Sequence, residues 1–149
     1  MNKPRYLISA CLCGHRCRYD GGCFDYPALR RLVDEGLALP FCPECAGGLP
    51  TPRVPCEIVG APDGTQAIIS RNGTDCTDEY LRGAAAALAL CTEHALDGAI
   101  LKDGSPSCGV TRIYDGTHTG TRIAGQGVTA AMLAKNGIRL FTEENPPKE

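Results

Sequence analysis

The stretch DEYLRGAAAALALCTEHALDGAILK, residues 78–102, holds two kinds of periodicity in direct succession. Tyr80, Ala84, Leu88, Cys91 and Ala95 recur at helical spacing along one face. Asp78 and Glu79 fall in the first turn, where carboxylates meet the positive end of the helix dipole. The pattern predicts a helix over 78–96, capped from Asp75 or Thr77 and closed by Gly98. AILK, residues 99–102, then reads as a short strand of the fully buried type. A helix feeding an apolar strand is the repeating unit of a parallel sheet, whose strands are covered on both faces.

The same alternation extends outward. YLISA, residues 6–10, predicts a first strand, and a Gly-, Cys- and Arg-rich loop follows over 11–25. A helix is expected over 28–35, with Pro27 in its first turn and Gly36 as its stop. ALPFC, residues 38–42, is a second strand weakened by Pro40. Four prolines and the Gly47-Gly48 pair make 43–57 read as irregular. A short strand at 67–70, set at an edge, leads to the Asn72-Gly73 turn. Beyond residue 102 come a loop, a hairpin around Ile113 and Ile123, a helix over 128–135 stopped by Asn136-Gly137, and a last strand over 138–141. The expected fold class is α/β: one compact, Rossmann-like domain over 1–149, mostly parallel sheet with helices on both faces. Its core spans 7–141 and its polar tail 142–149.

Composition narrows the function. Fifteen Lys and Arg against 17 Asp and Glu give a net charge of −2, unlike a protein that grips a duplex nucleic-acid backbone. No run of apolar residues is long enough for a transmembrane helix, so no membrane partner is expected. The first dozen residues make a poor secretory signal, so a cytoplasmic location is expected. Ten cysteines in a reduced compartment point to metal binding or chemistry rather than disulfides. Oligomeric state leaves no mark in the sequence.

In open α/β sheets ligands bind beyond the carboxyl ends of the strands. Cys11 follows the first expected strand, Cys42 ends the second, and Cys108 lies in the loop after the strand at 99–102. The topology therefore brings three cysteines to one edge. A four-cysteine zinc site from Cys42, Cys45, Cys11 and Cys13 is one outcome. A redox pair at Cys42 and Cys45 is disfavoured, because a Gly- and Pro-rich stretch follows where such motifs open a helix. Three thiolates without a fourth would instead leave one iron of an iron–sulfur cluster open to a substrate. Glu44 and Ser105 would then lie beside that position, a carboxylate to move a proton and a hydroxyl to hold one. A hydrolase with Cys108 as nucleophile lacks an identifiable base histidine.

Six ordered motifs run through the chain: Ser9 to Leu12, Cys17 to Gly22, Cys42 to Glu44 with Gly47 to Arg53, Lys102 to Gly109, Arg112 to Gly116, and Gly127 to Ala130. Together, over residues 7–141, they resemble the family catalogued as domain of unknown function 523, whose characterised members are thiouracil desulfidases. The resemblance implies a 4Fe-4S cluster held by Cys11, Cys42 and Cys108, with one iron not ligated by protein. It implies Glu44 and Ser105 as the catalytic pair, and a small thiopyrimidine substrate, thiouracil or its nucleotide, converted to uracil and sulfide without redox change. Cys13 and Cys45 depart from the pattern as additional cysteines near two proposed ligands. The other reading is a non-catalytic zinc- or cluster-binding module. Arg53, Lys102 and Arg112 are candidates for holding phosphate or uracil, and so are the N–H groups at Gly127 to Thr129. Cys91 is expected in the core, and Cys17, Cys23, Cys56 and Cys76 as unliganded thiols.

Overall fold

Tyr6, Leu7, Ile8 and Ser9 are all buried, as a strand covered on both faces requires. In the computed structural model, which describes residues 3–60 and 64–148, they form β1 (Tyr6–Ser9). α1 (Pro27–Asp34), β2 (Ala38–Phe41), α2 (Pro43–Ala46), β3 (Cys56–Gly60) and β4 (Gln66–Ser70) follow. Then come α3 (Thr77–Glu93), β5 (Gly98–Leu101), β6 (Arg112–Tyr114), β7 (Arg122–Ala124), α4 (Val128–Lys135) and β8 (Arg139–Thr142). Residues 1–2 and Glu149, which the single domain and its tail include, lie outside the described residues.

The main sheet is four-stranded and parallel, in the order β2-β1-β5-β8. Leu7, Ala99 and Leu101 point to one face, against Ala87 and Cys91 of α3 and Ala130 and Leu133 of α4. Tyr6, Ile8 and Ile100 point to the other, against Leu29 and Leu32 of α1. The expected α/β domain with helices on both faces is therefore the observed one. None of the described helices is long and apolar enough to cross a membrane.

Several boundaries differ from the sequence expectation. The segment 43–57 is not wholly irregular. Pro43 starts α2, a single turn for which the fixed φ of proline is already set. At its far end Cys56 and Ile58 turn inward on alternate positions to begin β3. The strand expected at 67–70 stands outside the main sheet and pairs antiparallel with β3. α3 ends at Glu93, short of Leu96, because Ala95 takes φ 52° and turns the chain, with Leu96 N–H closing on the Cys91 carbonyl at 2.9 Å. The tail begins later than residue 142: Thr142 belongs to β8, and the Glu143 side chain is 3% exposed.

α2 lies on α3 through two glycines. A Cβ on Gly83 would stand 1.9 Å from the Pro43 carbonyl oxygen, and one on Gly47 would stand 1.9 Å from that of Glu79. In an exposed helix Gly→Ala would stabilise by about 1 kcal/mol. Here Gly83→Ala is expected to destabilise by about 2–3 kcal/mol, because backbone rather than a side chain must give way. A thermal melt checks this: a Tm lower by roughly 5–10 °C is expected, and an unchanged or higher Tm would show that α2 lifts freely.

Candidate functional site

The carboxyl ends of β2, β1 and β5 lie side by side, and the segment that follows each carries a cysteine. Cys11 sits in a 3-10 turn over Ala10–Leu12 at the end of β1. Cys42 is the N-cap of α2, immediately after β2. Cys108 lies in the loop after β5. All three line one cavity of about 500 Å³, together with Cys17, Glu44 and Ser105. The Cys42 thiol donates to the Cys17 carbonyl at 3.8 Å. A hydrogen bond with Cys11, first, and then burial push the Cys17 thiol up to about 12. Burial does the same for Cys108, also to about 12. Any metal taken up here must therefore displace thiol protons.

Cys56 also lines the cavity, whereas Cys13, Cys45 and Cys91 do not. Cys13 is 8% exposed and packs with Leu12 and Leu29 on the α1 side of the sheet. Cys45 is exposed, its sulfur 3.4 Å from Thr51 Oγ1. Neither lines the cavity, so the set Cys11, Cys13, Cys42 and Cys45 is not brought together. Cys91 is in the core as expected. A single zinc draws sulfurs to about 2.3 Å from one point. Among the described residues no three His, Cys, Asp or Glu side chains stand close enough to do that. Thiols spread around a cavity wall suit a group that takes each thiolate on a different metal atom, as an iron–sulfur cluster does.

Glu44 enters the cavity from the first turn of α2. Its Oε2 accepts from Arg53 Nη2 at 2.9 Å, Arg53 Nε at 3.1 Å and the Tyr80 hydroxyl at 3.0 Å. Arg53 spends its remaining donors on the Cys17 and Pro50 carbonyls and on Thr51 Oγ1. Burial opposes the Arg53 charge, but Glu44 outweighs it and drives the guanidinium's titration further up. Ser105 faces the other oxygen, with Oγ 3.5 Å from Glu44 Oε1. Ser105 Oγ also accepts from the N–H groups of Ser107 at 2.9 Å and Cys108 at 2.8 Å. Both of its lone pairs are thus occupied, and its hydrogen is directed at Glu44 Oε1.

The loop that carries Ser105 and Cys108 is organised by Asp103, which the sequence did not single out. Asp103 Oδ1 accepts from Val110 N at 2.8 Å, Thr111 N at 3.0 Å, Gly104 N at 3.1 Å and Arg112 N at 3.2 Å. The Thr111 hydroxyl donates to Oδ2. Burial works against this carboxylate, yet those bonds hold it at about 2, below the usual 3.8. A depressed folded value means the stabilisation is complete above about pH 4 and lost as pH falls toward 2. Asp103→Asn is therefore expected to lower Tm at neutral pH and to lose less on acidification. Melts of both proteins across that window decide it, and a constant difference would assign the acid loss elsewhere.

Arg53, Lys102 and Arg112 all line the cavity, and each also meets a carboxylate. Lys102 Nζ meets Glu143 Oε2 at 2.9 Å, and Arg112 Nη2 meets Glu144 Oε1 at 3.3 Å. Arg53 is committed to Glu44. The N–H groups of Val128 and Thr129 bind the Pro106 and Ser107 carbonyls, each at 2.9 Å. The start of α4 thus anchors the Cys108 loop instead of facing the cavity. His118, which the sequence gave no reason to choose, also lines the cavity, with Nδ1 3.6 Å from Glu57 Oε2.

The chain is similar to known proteins. The 2-thiouracil desulfurase family matches residues 6–145. The uncharacterised protein YbbK of Bacillus subtilis (strain 168) is 45% identical over 142 residues, covering 92% of this chain and 94% of that protein. A solved structure described as the 4Fe-4S-dependent thiouracil desulfidase TudS superposes with a TM-score of 0.88 at 46% identity, covering 95% of this chain and 92% of its own.

Proposed function

The chain belongs to the 2-thiouracil desulfurase family, and on that premise we propose that it is an iron–sulfur-dependent desulfidase of thiolated pyrimidines. It exchanges the thiocarbonyl sulfur of thiouracil, or of its nucleotide, for oxygen from water and releases sulfide. Thiocarbonyl plus water gives carbonyl plus hydrogen sulfide, so no electron donor is required. The observation that carries this reading is the gathering of Cys11, Cys42 and Cys108 with Glu44 and Ser105 on one cavity.

Cys11, Cys42 and Cys108 would hold a 4Fe-4S cluster and leave one iron without a protein ligand. Such a group, when bound, supplies a soft Lewis acid suited to thiocarbonyl sulfur. Glu44 takes a proton from the water that attacks the C=S carbon, using the oxygen that faces the cavity. Ser105, held by the backbone donors of Ser107 and Cys108, presents its hydroxyl to the substrate beside Glu44 and orients the base. Arg53 holds the Glu44 carboxylate in place and ties it to the Cys17 backbone. Ten free thiols suit a reducing compartment, the cytoplasm, and a place in salvage of thiolated pyrimidines.

The test is turnover of 4-thiouracil by anaerobically prepared holoprotein, with no reductant added. Uracil and sulfide in equal amounts are expected. Absence of sulfide, or sulfide formed only with an electron donor, would overturn the reading.

A further inference from the structure

We infer that Tyr80 is a positioning residue for the desulfuration: with Arg53 it saturates one oxygen of Glu44, so that the other, facing Ser105 and the cavity, acts as the base. This rests on the function proposed above. A carboxylate oxygen offers about two lone-pair sites. Glu44 Oε2 already receives three donors, Arg53 Nη2 at 2.9 Å, the Tyr80 hydroxyl at 3.0 Å and Arg53 Nε at 3.1 Å. Oε1 has Ser105 Oγ at 3.5 Å, the outer limit of a hydrogen bond. The two oxygens are therefore chemically distinct, and only Oε1 has a lone pair free for an incoming proton.

Arginine by itself does not produce this asymmetry. A guanidinium fork normally takes both oxygens of a carboxylate, one on each arm. Here both Nε and Nη2 fall on the same oxygen. The Tyr80 hydroxyl reaches Oε2 from α3, 36 residues away in the chain. It keeps the carboxylate from rolling into the two-armed pairing, which would draw Oε1 away from Ser105. The phenol is well placed to hold this position, being 2% exposed among Cys56, Ile58, Ile68 and Ile113. Burial, and after it the Glu44 charge, drive its titration well upward, so it keeps its proton and remains a donor. The glycine contact between α2 and α3 fixes the distance between the two side chains.

Tyr80→Phe removes the hydroxyl and keeps the ring. It is expected to lower kcat about tenfold with KM and cluster content unchanged. In a Glu44→Gln background the same change is expected to have no further effect, whereas a merely structural role would lower both backgrounds equally. The infrared carboxylate band, assigned by its loss in Glu44→Gln, should shift from a one-oxygen to a two-oxygen pattern in Tyr80→Phe. An unchanged kcat, or equal losses in both backgrounds, overturns the inference. If Tyr80→Phe loses its cluster, the wild-type band decides, and a two-oxygen pattern there overturns it as well. Wild-type protein without turnover fails the proposed function, and the infrared pattern still reports separately on the Tyr80 geometry.

Discussion

Cys108→Ser is expected to yield a folded, colourless protein with no desulfidase activity, and Cys11→Ser and Cys42→Ser to do the same. Serine occupies nearly the same volume, so the loop should survive; it is already anchored by Asp103 and by the start of α4. What changes is the ligand atom. A hydroxyl is a hard, weakly acidic donor where iron and sulfide demand a soft thiolate. Cys17 also lines the cavity, and its backbone carbonyl is held by Arg53. Iron analysis, with far-ultraviolet circular dichroism as the control for folding, checks this. A Cys108→Ser protein that keeps its iron and its turnover would remove Cys108 from the ligand set.

Glu44→Gln is expected to lower kcat by about 10²–10⁴-fold, the range that removal of a general base produces. Glutamine fills the same space and can still present an oxygen to Arg53 and Tyr80, so the cavity wall should remain. Its amide nitrogen would then face Ser105, where a proton acceptor is needed. Cluster content is expected to match the wild type, which separates loss of a base from loss of a cofactor. Single-turnover kinetics on the anaerobic protein measure it, and a kcat within threefold of wild type would place the base elsewhere.

The parallel sheet was legible because strands covered on both faces must be apolar throughout, and YLIS and GAIL announce themselves that way. Topology then carried Cys11, Cys42 and Cys108 to one edge, since each follows a strand of the same sheet. The strand β3 was not legible, because Pro55 and Glu57 hide its inward alternation. Tyr80 fits the helical period of α3 like any core residue. Nothing in one dimension distinguishes a phenol aimed at a carboxylate from one that only packs. Asp103 was hidden for a related reason: its partners are backbone N–H groups, which every residue carries. The carboxylate partners of Arg53, Lys102 and Arg112 were not legible either, because they lie on other segments. A pattern of spacing shows which face a side chain shares, and long-range pairing depends on folds of the chain that spacing does not encode.

The most direct measurement counts iron and acid-labile sulfide per chain under anaerobic conditions, on the wild type and on the double variant Cys13→Ser/Cys45→Ser. The account predicts a brown protein with about four iron and about four sulfide in both, because neither cysteine reaches the cavity. A colourless protein carrying one zinc, lost in the double variant, would contradict it and leave a structural metal module in its place.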